Sequence, residues 1–145
     1  MKIRGWTQED VKTIAAIEKR CFGDPWTEEM LGACMQYAWQ QLFLAEEDGQ
    51  VLGYGCLGVL FEDAEILNIA VDTPFRGRGI GETLLRAMHK KAKALGAQRV
   101  LLEVRVSNLP AIGLYEKLGY TRYGVREHYY EDGEDAFVMQ AGLTE

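Results

Sequence analysis

The stretch Arg76-Gly77-Arg78-Gly79-Ile80-Gly81 joins an apolar run, Ile66 to Val71, to a segment with helical periodicity. Glycines at alternate positions permit tight turning and close approach of a ligand to the backbone. A helix start leaves its first N–H groups unpaired and carries partial positive charge, which makes this junction a phosphate cradle. Arg76 and Arg78 add cationic side chains beside it. Working outward, the apolar run is a strand, Glu65 to Asp72, and the segment after the glycines is a helix, Gly79 to Leu95. A helical crossover then sets the next strand, Arg99 to Val106, parallel to the first.

The crossover helix has an apolar stripe of Ile80, Leu84, Ala87, Met88 and Leu95. Arg86, His89, Lys90, Lys91 and Lys93 fall mostly outside it, so His89 is expected on a solvated surface. Gly96 suits the C-terminal stop. Upstream, Gln41 to Glu46 and Val51 to Leu60 flank Glu47-Asp48-Gly49-Gln50, a hairpin signal, and continue into Glu65 to Asp72 as a meander. Earlier still, Lys2 to Trp6 alternates as a strand. Thr7 caps a helix with Val11, Ile14, Ile17 and Cys21 at helical spacing. Gly23-Asp24-Pro25 breaks it, and Thr27 caps a second helix through about Tyr37. Downstream, Ser107 or Asn108 caps a fourth helix with Pro110 in its first turn, ending at Gly119. Tyr120 to Tyr130 and Asp135 to Gln140 form a closing antiparallel pair around Glu131-Asp132-Gly133-Glu134. The order β-α-α-β-β-β-α-β-α-β-β predicts an α/β (α+β) fold. Its single mixed, mostly antiparallel seven-stranded sheet has helices on both faces and a central parallel strand pair. Residues 1–145 are expected to form a single domain.

Composition sets outer bounds. The 145 residues are 48% hydrophobic and 26% charged, as in a globular protein with a real core. A net charge of −6 argues against nucleic acid as a partner and mildly favours cationic substrates, or serves solubility alone. No apolar run approaches the ~20 residues that cross a bilayer, and the polar start is no signal peptide. Cys21, Cys34 and Cys56 lack pairing or metal-ligand spacing and read as reduced thiols of a cytoplasmic protein. Only His89 and His128 are present, so no metal site is expected.

Three phosphate-loop chemistries compete for the glycines. A Walker-type loop needs a lysine after them, and none follows. A dinucleotide fold needs Gly-x-Gly-x-x-Gly with an acidic residue about 20 positions on. Glu103 stands near that distance, but the spacing here is Gly-x-Gly-x-Gly, and the upstream strands form a meander rather than βαβ units.

The third is coenzyme A. Arg76 to Gly81 matches the Arg/Gln-x-x-Gly-x-Gly/Ala signature of the GCN5-related N-acetyltransferase (GNAT) superfamily, and the element order resembles that fold. Four blocks resemble its RimI-type branch: Leu67-Asn68-Ile69-Ala70-Val71-Asp72; Leu102-Glu103-Val104-Arg105-Val106-Ser107-Asn108; Leu114-Tyr115-Glu116-Lys117-Leu118-Gly119-Tyr120; and Tyr129-Tyr130 with Gly133-Glu134-Asp135-Ala136. The resemblance runs from the first strand to Met139. The first two helices match least, apart from Pro25-Trp26-Thr27. It implies transfer of acetyl from acetyl-CoA to the N-terminal α-amino group, an alanine, of a ribosomal small-subunit protein. Direct transfer without a metal is implied, with neither nucleic acid nor membrane as partner.

Acetyl transfer to an amine needs a neutral amine, a polarised thioester carbonyl and a proton for the leaving thiolate. An α-amine near 7.7–8.0 is partly neutral already, so a modest base suffices. Glu103 is the candidate base. It alternates with Leu102 and Val104 on an otherwise apolar strand, where a carboxylate is solvated, paired with an arginine or functional. Its match to the family's proton acceptor selects the base. Tyr115, with Ile112 and Leu118 at i−3 and i+3, looks like a core tyrosine, and the resemblance makes it the acid that protonates the coenzyme sulfur. Asn108 caps a helix by its own logic and touches the coenzyme by resemblance. Resemblance likewise assigns the backbone of Ile69, Ala70 and Val71 to the pantetheine arm, with one N–H polarising the thioester. Backbone amides from Gly77 through Arg78, Gly79, Ile80 and Gly81 to Glu82 receive the pyrophosphate. Arg76 and Arg78 reach phosphates or sit in solvent.

Glu131, Asp132, Glu134 and Asp135 are either a solvated hairpin tip or a wall that attracts a basic peptide N-terminus, with Tyr129 and Tyr130 holding its first residues. Two other functions fit the residues: acetylation of a small amine or a protein lysine, and a non-catalytic acyl-CoA sensor.

Overall fold

The computed structural model describes residues 1–143. Seven strands form one sheet: β1 Lys2–Arg4, β2 Gln40–Glu47, β3 Gln50–Leu60, β4 Asp63–Val71, β5 Arg99–Arg105, β6 Thr121–Arg126 and β7 Ala136–Gly142. Four helices accompany it: α1 Val11–Cys21, α2 Glu28–Cys34, α3 Ile80–Ala94 and α4 Leu109–Lys117. The sheet runs β1-β2-β3-β4-β5-β7-β6, parallel at β4–β5 and antiparallel elsewhere, in agreement with the expected architecture.

Helices cover both faces. On one, α1 and α2 place Val11, Ile14, Ile17 and Leu31 against Leu44, Tyr54 and Cys56. On the other, α3 and α4 place Leu85, Met88, Ile112 and Tyr115 against Leu57, Ile66, Val100 and Leu102. Because strand side chains alternate, burying Leu102 and Val104 under α3 and α4 turns Leu101, Glu103 and Arg105 to the α1–α2 side.

The feature that positions the site is how briefly β4 and β5 pair. Their register is Asp63↔Arg99, Ala64↔Val100 and Glu65↔Leu101, and there it stops. Beyond it β5 stays with β7 along its whole length, while β4 continues along β3 to Val71. A bulge at Leu67, where the register jumps from Cys56↔Asn68 to Leu57↔Ile66, bends β4 at the point of parting. The two strands therefore open as a wedge at their C-terminal ends.

Four expectations need correction. β1 ends at Arg4 rather than Trp6, whose ring is buried and whose indole N–H donates to the Gly55 carbonyl. α2 ends at Cys34 rather than near Tyr37, because Met35 and Gln36 tighten the last turn with bonds to Gly32 and Ala33. The first closing strand stops at Arg126 rather than Tyr130, the second runs on to Gly142, and Tyr129 and Tyr130 lie in the loop between them. That loop is shaped by His128 at φ +51°, whose N–H donates to Asp135, and by the Glu134 N–H donating to Asp132. His89 is half-buried rather than solvated. Its Nε2 lies 2.6 Å from the Tyr120 hydroxyl, and burial pushes its pKa down.

Candidate active site

The glycine loop enters α3 through left-handed backbone at Gly77 (φ +82°) and Gly79 (φ +79°), where a side chain would be strained. The Thr83 N–H makes a helical bond to the Gly79 carbonyl, which leaves the amides just ahead of it outside the α3 ladder. The side chains around them are committed elsewhere. Arg76 turns back to the Val71 carbonyl at 3.1 Å and the Cys21 sulfur at 3.3 Å, and Arg78 pairs with Glu47 at 2.9 Å. Glu82 bridges Arg86 and Lys117 of α4, at 2.9 and 2.7 Å, and both cations hold its carboxyl below the usual range. A Cβ on Gly81 would lie 3.4 Å from Leu114, so that glycine belongs to the contact between α3 and α4. For an anion, the loop offers backbone amides.

Ile69, Ala70 and Val71 pair with Gly55, Tyr54 and Gly53 of β3 on one side. Their other edge borders the wedge, where β5 no longer pairs with them. Asn108 sits across the wedge at the start of α4 and caps it, accepting from the Ala111 N–H at 3.3 Å. Tyr115 is 7% exposed, with its ring 5.6 Å from that of Tyr120. Burial, then Tyr130, pushes its phenol up to about 12, so it stays protonated at neutral pH.

Glu103 is half-buried and paired, as a carboxylate on an apolar strand must be. Its Oε2 lies 2.5 Å from Nε of Arg126, and the Tyr129 hydroxyl is in hydrogen-bonding reach. It opens onto a cleft of about 230 Å³ lined by Trp39, Gly58, Glu65, Leu101 and Arg126. Gly58 makes room here, since a Cβ would stand 2.6 Å from the Trp39 ring. Glu103 and Tyr115 are not brought into direct contact, but Tyr130 has electrostatic reach to both.

The loop acids do not form a free anionic wall. Arg105 on β5 holds Asp132 at 2.8 Å and Glu134 at 2.9 Å, stacks 4.0 Å over Tyr130 and approaches Asp24 at 3.7 Å. One guanidinium thus ties the β6–β7 loop and the α1–α2 loop to the same strand. Glu131 is exposed, and Arg105 does not hold it among the described residues.

Two carboxylates were not anticipated as structural centres. Glu18 on α1 is 1% exposed and accepts from the Trp26 N–H at 2.8 Å, Asn68 Nδ2 at 2.5 Å and the Tyr54 hydroxyl. It fixes the α1–α2 loop to the bulged part of β4. The available signal was its place one turn after Ile14, on the apolar face of α1. Asp72 accepts two bonds from Arg20, both at 2.9 Å, and ties α1 to the end of β4.

Comparison with known proteins points the same way as this geometry. A Bacillus subtilis (strain 168) protein described as a candidate ribosomal protein bS18-alanine N-acetyltransferase is 38% identical over 145 residues, spanning 99% of this chain and 96% of its own. The ribosomal protein bS18-alanine N-acetyltransferase of Salmonella typhimurium (strain LT2) is 33% identical over 93% of each chain. The crystal structure of the ribosomal-protein-S18-alanine N-acetyltransferase from Escherichia coli superposes with a TM-score of 0.91 at 31% identity, covering 99% of this chain and 94% of that one. The Acetyltransferase (GNAT) family description matches residues 11–120, most of the chain and all of the wedge between β4, α3 and β5. A parted strand pair, a left-handed glycine entry to α3 and this match together make the chain a member of the GNAT family of acetyltransferases.

Proposed function

We propose that this acetyltransferase transfers acetyl from acetyl-CoA to the N-terminal α-amino group, an alanine, of a ribosomal small-subunit protein in the cytoplasm. The observation that carries the reading is the wedge that opens beyond Glu65 and Leu101. It leaves the edge of β4 from Ile69 to Val71 unpaired with β5 beside the glycine loop, with Glu103 on the neighbouring strand. The names of the relatives supply the acceptor.

The residues fit the coenzyme. The amides at the start of α3 suit a pyrophosphate, and the open edge of β4 can add an extended amide-bearing arm as a further strand. Acetyl-CoA supplies the acyl group as a thioester. A β4 amide at the wedge donates to the acyl oxygen as charge builds there. Glu103, held by Arg126, accepts the proton that the acceptor nitrogen gives up. Tyr115 donates a hydrogen bond to the sulfur as it departs. A phenol near 12 is a weaker acid than an ordinary thiol at about 8.5, so its main contribution is that bond to the developing thiolate, which the acceptor's second proton then neutralises.

The test is an acetyl-CoA assay against peptides that differ in their first residue, together with a lysine peptide blocked at its terminus and a polyamine. Preference for free N-terminal alanine supports the proposal. Preference for the blocked lysine peptide or the polyamine overturns it.

A further inference from the structure

Tyr115 carries the hydroxyl proposed to meet the sulfur, yet that hydroxyl makes no hydrogen bond among the described residues. Its direction is therefore set by what packs on the ring. Tyr120 packs there, with ring centroids 5.6 Å apart and planes tilted by 57°. The end of α4 explains the contact. Leu118 closes the helix and Gly119 turns left-handed at φ +94°. The Gly119 N–H then donates to the Glu116 carbonyl at 3.1 Å, and the Tyr120 N–H to the Tyr115 carbonyl at 3.0 Å. In a helix ending of this kind the residue after the glycine commonly packs on the one five positions before it, here Tyr120 on Tyr115.

Tyr120 is 2% exposed, and a buried phenol needs a partner for its hydroxyl. His89 on α3 is that partner, with Nε2 2.6 Å from the oxygen and ring centroids 5.4 Å apart. Burial, then Arg86, lowers the His89 pKa, while burial, then Tyr115, raises that of Tyr120, so both groups are neutral at pH 7. A chain of contacts thus runs from α3, whose first turn offers amides to the coenzyme, through His89 and Tyr120 to Tyr115. Glu82 and Lys117 also tie α3 to α4, at 2.7 Å, but that lysine is exposed and the pair is open to water and salt. The link at Tyr120 is buried.

Resting on the reading of Tyr115 as the donor to sulfur, we infer that His89 and Tyr120 are positioning residues for the reaction: their hydrogen bond holds the Tyr120 ring against Tyr115 and so sets where the Tyr115 hydroxyl points. Neither residue touches the reacting atoms, and each acts through the Tyr115 ring. A hydrogen bond weakens steeply once its angle falls below about 120°, so a modest swing of that ring takes the donor off the sulfur. Without His89, the buried Tyr120 hydroxyl has to turn toward water to find a partner, and its ring moves with it.

The test measures kcat for His89→Phe and Tyr120→Phe, each alone and combined with Tyr115→Phe, using whichever acceptor the peptide and polyamine assay prefers. Each single change removes the hydrogen bond and keeps a ring. Each is expected to lower kcat roughly fivefold, the scale of one neutral hydrogen bond, with both KM values within about twofold of the unmodified protein. His89→Gln, whose amide can reach the same hydroxyl, recovers part of the rate. In the Tyr115→Phe background neither change costs anything more, because the hydroxyl they aim is gone. A normal rate in Tyr120→Phe, the milder of the two variants, overturns the inference. So does a loss of the same size with and without the Tyr115 hydroxyl, or a rise in both KM values, either of which marks a general loosening of α3 against α4. A normal rate for Tyr115→Phe itself removes the donor role of Tyr115, and this positioning role with it.

Discussion

Arg126 on β6 reaches across β7 to hold Glu103 on β5, with Nε and Oε2 2.5 Å apart. The pair joins the edge of the sheet to the strand beside the wedge and fixes the carboxylate in a cleft that it would otherwise leave for water. Arg126 itself is largely exposed, so the contact adds at most about 1 kcal/mol to stability. Arg126→Ala should therefore melt within a few degrees of the unmodified protein yet lower kcat roughly tenfold. Thermal melting beside steady-state kinetics checks both halves.

Glu103→Gln removes the proposed base and Tyr115→Phe the proposed donor to sulfur. General acid–base groups contribute about 10²- to 10⁴-fold, so Glu103→Gln should lose rate on that scale and Tyr115→Phe near its lower end. Acetyl-CoA affinity, measured by calorimetry, should hold within about threefold for both. Normal turnover in both variants would remove these role assignments.

Glu18→Gln keeps the size of the buried side chain but replaces one acceptor oxygen with a donor facing the Trp26 N–H, Tyr54 or Asn68. The expected cost is about 1–3 kcal/mol in denaturant unfolding. Because the group anchors the α1–α2 loop to β4, the peptide KM should rise as well. The acetyl-CoA KM should not.

Asp72 gives the clearest acid dependence. Its bonds to Arg20 hold the folded carboxyl below the ordinary range, against the opposing effect of burial. A depressed carboxyl contributes stability that is fully present above the unfolded value of about 3.9 and is lost as pH falls through the lower folded value. Asp72→Asn should be less stable than the unmodified protein near pH 6, and the difference should shrink below about pH 4. Urea midpoints measured across that range check the sign.

Much of the architecture was legible because the glycine loop, the helix stripe of α3 and the alternation of β5 each obey a local period. The face occupied by Glu103 followed from alternation alone, and the pairing of that carboxylate with an arginine was one of the stated alternatives. What escaped was long-range. No local pattern indicates that β4 and β5 part after Glu65↔Leu101, since the wedge depends on a bulge at Leu67 and on β7 remaining with β5. The fate of the loop acids depended on Arg105, 27 and 29 residues before Asp132 and Glu134. His89 looked solvated because the helix stripe was read without α4, whose C-terminal turn brings Tyr120 against it. Arg76 and Arg78 pair with groups from β4, α1 and β2 that spacing in the loop cannot reveal.

The most direct measurement of the central claim is tandem mass spectrometry of one acetylated peptide that begins with a free alanine and carries an internal lysine. With acetyl-CoA and limiting enzyme, the proposed function predicts acetyl on the alanine nitrogen and an unmodified lysine, with the product nearly abolished by Glu103→Gln. Acetyl on the lysine, or α-amine product formed equally fast by Glu103→Gln, would contradict it.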